Sequence, residues 1–106
     1  MSYSRKLAMD YAKRYVCDIW PEKSHASNNF GSSFYRMDVI RFAEGWQARF
    51  KFENEWRWHR SKDRYATEYD AKLHAVFAAL VHALKHTHYG PELSDVYCRA
   101  FLGGGS

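Results

Sequence analysis

Six histidines are the first residues that could do chemistry in this 106-residue chain. Three of them, His74, His82 and His86, fall on one stripe of a helical pattern with Ala78 in the vacant place, and His88 follows. An i,i+4 pair such as His82 and His86 can hold a zinc ion from one helix face, as in the HExxH arrangement. Here the intervening residues are Ala83, Leu84 and Lys85. The glutamate is missing, Lys85 brings positive charge toward the supposed ion, and no cysteine or acid stands near in sequence as a third ligand. These residues predict no metal and a solvated histidine face, since cationic imidazole is favourable near a helix C-terminus. Cys17 and Cys98 lie far apart without CxxC or ligand spacing. They read as reduced thiols near a core, with a single bridge between the ends of the fold as the alternative. No G-x-S-x-G, Walker loop, glycine-rich dinucleotide turn or paired-carboxylate motif occurs. The chain reads as a non-enzyme that needs no cofactor.

The cations are the second chemically interesting set. Sixteen Lys+Arg against twelve Asp+Glu leave +4. Residues 1–20 hold four basic and two acidic groups, residues 34–64 eight and five, and residues 65–102 three and four. The excess thus sits on the first helical segment and the centre of the chain, interleaved with acids. Such a balance permits an anionic partner without demanding one. Aromatic residues make up 18% of the chain, so a few large side chains must supply much of the core or an interface. No apolar run approaches the roughly 20 residues that cross a bilayer, and MSYSRKLAMDYAK has no hydrophobic signal segment. A soluble, cytoplasmic protein with no membrane partner is expected, built as one α+β domain over 1–102. The GGGS at 103–106 has the composition of a linker or tag remnant.

The elements that must position these residues follow from periodicity. Leu7, Ala8, Tyr11, Ala12, Tyr15, Val16, Ile19 and Trp20 share one side of a helix, which Pro21 ends. Residues 21–33, PEKSHASNNFGSS, read as a polar connector, with His25 solvated. In the centre, Trp46, Ala48, Phe50 and Phe52 alternate with Gln47, Arg49, Lys51 and Glu53, the period-2 pattern of a half-buried strand. FYRMDVIRFA reaches it through Glu44-Gly45, a two-residue hairpin turn. That turn pairs Ala43 with Trp46, Val39 with Phe50 and Met37 with Phe52 on the inner face. Outside, it sets Asp38 opposite Lys51 and Arg36 opposite Glu53. A three-residue turn at Glu53-Asn54-Glu55 leads into a third strand, WRWHR, with Phe52 opposite Trp56 and Phe50 opposite Trp58. Arg41 and Arg60 then fall awkwardly on the inner face. They must reach past the sheet edge or pair with an acid, unless a bulge intervenes. Thr67 caps a second helix whose stripe is Tyr69, Leu73, Val76, Phe77, Leu80, Val81 and Leu84, and Gly90-Pro91 stops it. A short last helix, PELSDVYCRAFL, is expected after it. The economical architecture is a two-layer sandwich, a three-stranded antiparallel sheet with both long helices on one face.

The open face of that sheet displays Ile40, Phe42, Arg49, Lys51, Arg57 and His59, with Lys51 opposite Arg57 and Arg49 opposite His59. Like charges set side by side on a sheet are destabilising by themselves. A contact surface for an anionic partner is the functional reading, with Phe42 and Ile40 as apolar anchors between cations. A small module of accessory or inhibitor type, such as phages and mobile elements commonly make at this size, would use it on a protein or ribonucleoprotein with an acidic surface. Direct nucleic-acid binding by the same face is the rival. An unpaired edge strand would also serve a homodimer. The helix–three strands–helix order and the run AKLHAVFAAL at 71–80 resemble the double-stranded-RNA-binding domain over residues 4–88. Where that family places lysines at the start of its second helix, this chain has Glu68 and Asp70, so the family's RNA-binding residues do not carry over.

Overall fold

The computed structural model describes residues 3–20, 25–30 and 33–86. Helix α1 spans Tyr3–Ile19, strand β1 His25–Phe30, β2 Ser33–Phe42, β3 Gly45–Phe52, β4 His59–Arg60, and helix α2 Glu68–His86. The chain is α+β, with one antiparallel sheet in the order β1-β2-β3-β4. The sheet has four strands where the sequence pattern predicts three, and the double-stranded-RNA-binding order lacks the extra one. The last-helix segment, the Gly90-Pro91 stop, Cys98 and the GGGS tail lie outside the described residues.

The fourth strand comes from the supposed connector. Residues 25–30 pair with β2 along their whole length, from His25 opposite Asp38 to Phe30 opposite Ser33. A polar strand is invisible to a search for apolar alternation, because its backbone groups pair whatever the side chains are. Only Ala26 and Phe30 of β1 are buried, and both join the core.

The β2–β3 register differs from the expected one by two residues. Phe42 pairs with Gly45, Val39 with Ala48, Met37 with Phe50 and Tyr35 with Phe52, so the two-residue turn is Ala43-Glu44. Outside, Asp38 faces Arg49 instead of Lys51, and Arg36 faces Lys51 instead of Glu53. An even slip keeps every side chain on its face. Tyr35, Met37, Val39, Ala48 and Phe50 are accordingly buried. The link to β4 differs by an odd number. Phe50 pairs with His59 and Arg49 with Arg60, which turns the whole segment over. His59 now points inward and Trp58 outward. Arg60 moves to the outer face as well, and exposed Arg41 lies over the Trp46 ring at 5.7 Å, which resolves both awkward arginines.

Buried small residues shape the helix layer. Ala8, Ala12 and Val16 form the buried stripe of α1, continued by Trp20 just past its end, and the helix packs on α2 and reaches the sheet at β1. Tyr11 of that stripe remains 39% exposed, and Cys17 is exposed rather than near the core. Thr67 caps α2 as expected, its Oγ1 accepting from Asp70 N at 3.1 Å. From Ala75 to Ala83 every residue of α2 is buried. A helix apolar on all sides is one that neighbours cover on several sides. Here β2 and β3 lie on one side and α1 on another.

Candidate functional site

The outer face of the sheet is built by the residues that alternate with the core. On β2 these are Phe34, Arg36, Asp38, Ile40 and Phe42; on β3, Gln47, Arg49 and Lys51. Of the six residues expected there, Arg49 and Lys51 are half-buried on this face, Ile40 is half-buried and Phe42 is 39% exposed. Arg57 is exposed in the 53–58 connection, outside any strand. His59 is not on this face: its ring stacks on Phe50 at 4.7 Å on the inner side, and its Nε2 meets Glu55 Oε2 at 2.9 Å. Like-charge juxtapositions nevertheless persist with new members, Arg36 opposite Lys51 and Arg49 opposite Arg60.

Trp58, expected in the core, is the organising residue of the outer face. The Arg49 guanidinium carbon sits 4.1 Å from its ring and Lys51 Nζ 4.9 Å, both within cation–π range. Arg49 also donates to Asp38 Oδ2 through Nε at 3.0 Å and through Nη2. Asp38 Oδ1 accepts from Val39 N at 2.8 Å. Both oxygens of this carboxylate are therefore engaged. Two further rings carry cations, Phe34 under Arg36 at 6.0 Å and Phe42 under Arg64 at 4.4 Å.

Trp58 forms one wall of a groove of about 450 Å³. His25, Ser27, Phe34, Arg36 and Asp38 line it from β1 and β2, together with Ala26 and Met37. None of Trp58, Arg36, Phe34, Ser27 and His25 is among the residues that the sequence singled out for binding. The missed signal is β1, without which His25 and Ser27 have no face to belong to. For Trp58 the error is the parity of one loop.

Three described acids near this face, Asp38, Glu53 and Glu55, are already partnered. Glu53 accepts from Phe34 N at 3.0 Å and Glu55 meets His59. By contrast, Arg36, Lys51, Arg57 and Arg60 have no acidic partner among the described residues.

His74 and His82 of α2 face inward and not solvent, while the His86 side chain and His88 lie outside the described residues. His82 is 8% exposed, and its Nδ1 lies 2.7 Å from the Tyr35 hydroxyl. Its ring touches Phe50, Phe52 and His59 at centroid distances of 5.4, 4.9 and 5.7 Å. His74 is half-buried, stacks on Tyr65 at 4.3 Å and donates through Nδ1 to Asp70 O at 2.8 Å. The helix is rotated so that these two imidazoles meet aromatic rings, His82 edge-on to Tyr35 and Phe50 and His74 face to face with Tyr65, while a hydroxyl and a backbone carbonyl satisfy one nitrogen of each. Among the described residues no group of three or more His, Cys, Asp or Glu is placed to hold a metal ion, and no helix is long and apolar enough to cross a membrane. Comparison with protein-family models, with curated proteins and with solved structures finds no match to this chain.

Proposed function

We propose that this chain is a non-enzymatic module of accessory or inhibitor type that acts by stoichiometric contact with an acidic protein or ribonucleoprotein partner. The contact is made through the outer face of the sheet, with both long helices as a layer on the opposite side. One observation carries this reading: Arg36 and Lys51 face each other across the ladder and Arg57 is exposed in the connection that follows, all three with no acidic partner among the described residues, while Asp38, Glu53 and Glu55 are engaged. Unneutralised cations around apolar anchors are what an electrostatically complementary interface supplies. Ile40, Phe42 and Arg49 belong to the same surface. Arg49 holds Asp38, so reversing it would place two carboxylates together and disturb the sheet.

The test is affinity capture of the partner from native lysate with Arg36→Glu, Lys51→Glu and Arg57→Glu combined. Capture should fall at least tenfold with the circular dichroism unchanged. Undiminished capture would move the interface off this face. Nuclease treatment of the captured material distinguishes a protein from a ribonucleoprotein.

A second reading, direct nucleic-acid binding, is favoured by Trp56, which is 87% exposed beside Arg57 and offers a ring for base stacking. It requires mobility shifts of DNA or RNA at low salt, with log K falling by roughly 0.9 per neutralised phosphate for each unit of log salt on duplex DNA. Strand β1 at the sheet edge is where a second copy of the chain would pair.

A further inference from the structure

The groove under Trp58 has a chemistry narrower than the face around it. Its one carboxylate among the described residues, Asp38, already accepts from Val39 N and from Arg49, so the groups left there to offer a ligand are mainly donors, above all Arg36. Lys51 is Arg36's partner across the β2–β3 ladder and sits with its ammonium over the ring of the same tryptophan. A site of donors fits a ligand of acceptors.

Nucleobases and carboxylates are separated by what the rings are doing. Base stacking needs open aromatic faces. Phe34 and Trp58, the aromatic walls of the groove, both carry a cation, at 6.0 Å for Arg36 on Phe34 and at 4.1 and 4.9 Å for Arg49 and Lys51 on Trp58. Cations laid on rings lose less freedom when an anion arrives, which favours ion pairing over stacking. The volume, about 450 Å³, is that of a small-ligand site and suits a few side chains, not a folded element.

We propose that this groove receives an acidic peptide segment of the partner, its carboxylates bound by Arg36 and Lys51 and its chain lying against Trp58. This rests on the reading of the outer face as the contact surface. Arg36 supplies a planar fork for bidentate pairing and Lys51 a point charge beside it.

The probe is an acetylated hexaglutamate peptide titrated at low salt into the full, isotope-labelled chain and followed by amide and indole N–H resonances. The Trp58 indole and the Arg36 and Lys51 amides should move together. Arg36→Gln with Lys51→Gln should weaken binding at least fivefold, and amide dispersion will show that the variant folds. Lys13→Gln with Lys62→Gln removes the same charge from exposed positions elsewhere and should change affinity less than twofold. Absence of shifts, equal weakening by both variants, or displacement of the peptide by an octathymidylate strand would each overturn the proposal. If the peptide fails while the triple charge reversal still abolishes capture, the groove assignment falls and the face remains the interface. If the reversal leaves capture intact, the broader reading falls too.

Discussion

Arg49 shows how a tryptophan comes to lie on the wet side of this sheet. Its guanidinium bonds Asp38 across the ladder and simultaneously covers Trp58. A half-buried pair of this kind contributes up to about 1 kcal/mol, and the cation–π contact about as much again. Neither contact is visible in the sequence, because Asp38 and Arg49 become neighbours only in the observed register. Tyr65 is a residue whose ionisation the fold clearly perturbs. Burial, and then the nearby charge of Asp63, push its phenol from the ordinary 10.0 up to about 12. Below pH 10 both folded and unfolded chains hold the proton. Between 10 and 12 the unfolded chain releases it while the folded chain keeps it, so stability declines as pH rises through that window. Alkaline titration followed by phenolate absorbance should contain one late step that Tyr65→Phe deletes, and urea stability should fall less steeply at high pH in that variant. A late step that survives the substitution belongs to another tyrosine.

At the scale of elements, the turns decide which face a residue joins. Gly45 reads in the sequence as half of a hairpin turn, but it is the first residue of β3, at φ 132°. A Cβ there would stand 2.6 Å from the carbonyl oxygen of Tyr65. That close approach lets Trp46 and Tyr65 exchange backbone hydrogen bonds, each at 2.8 Å. Gly45→Ala should therefore destabilise the chain by about 1–3 kcal/mol, from a rarely adopted backbone conformation and a clash together. Urea denaturation reads this directly; an unchanged midpoint would mean that the backbone reroutes at no cost. The next turn has Glu53 at φ 51°, where asparagine at 54 was the expected left-handed residue. The different turn shifts β4 by one position and exchanges His59 for Trp58 on the outer face. The alternation of β2 and β3 was plain in the sequence. The parity of a six-residue connection between strands was not, since side-chain pattern constrains it only weakly when Trp, Arg and His are amphipathic enough for either face.

The sheet and helix layers are joined at the Tyr35–His82 contact, where the start of β2 meets the all-round buried stretch of α2. Tyr35 is fully buried, with Phe30, Phe50, Phe52 and His82 around its ring at centroid distances of 5.2–5.8 Å. Removing the hydroxyl by Tyr35→Phe should cost about 1 kcal/mol, and His82→Ala, which also opens a cavity, about 2–4 kcal/mol. Because the two residues share one hydrogen bond, the double variant should fall short of the sum by about 0.5 kcal/mol or more. Additive losses in thermal or urea unfolding would show that sheet and helix are held together elsewhere.

Residue pattern alone determined the two long helices, the Thr67 cap, the two central strands to within a residue at their ends and the faces their side chains take, because each rests on a local period or a local hydrogen bond. It also located the excess of cations in the centre of the chain. Tertiary structure alone decided that β1 exists, that α2 turns His74 and His82 inward, and that Trp58 instead of His59 joins Arg49 and Lys51. Those outcomes depend on backbone pairing between distant segments and on the odd or even count of a connection. No window of neighbouring side chains records either quantity.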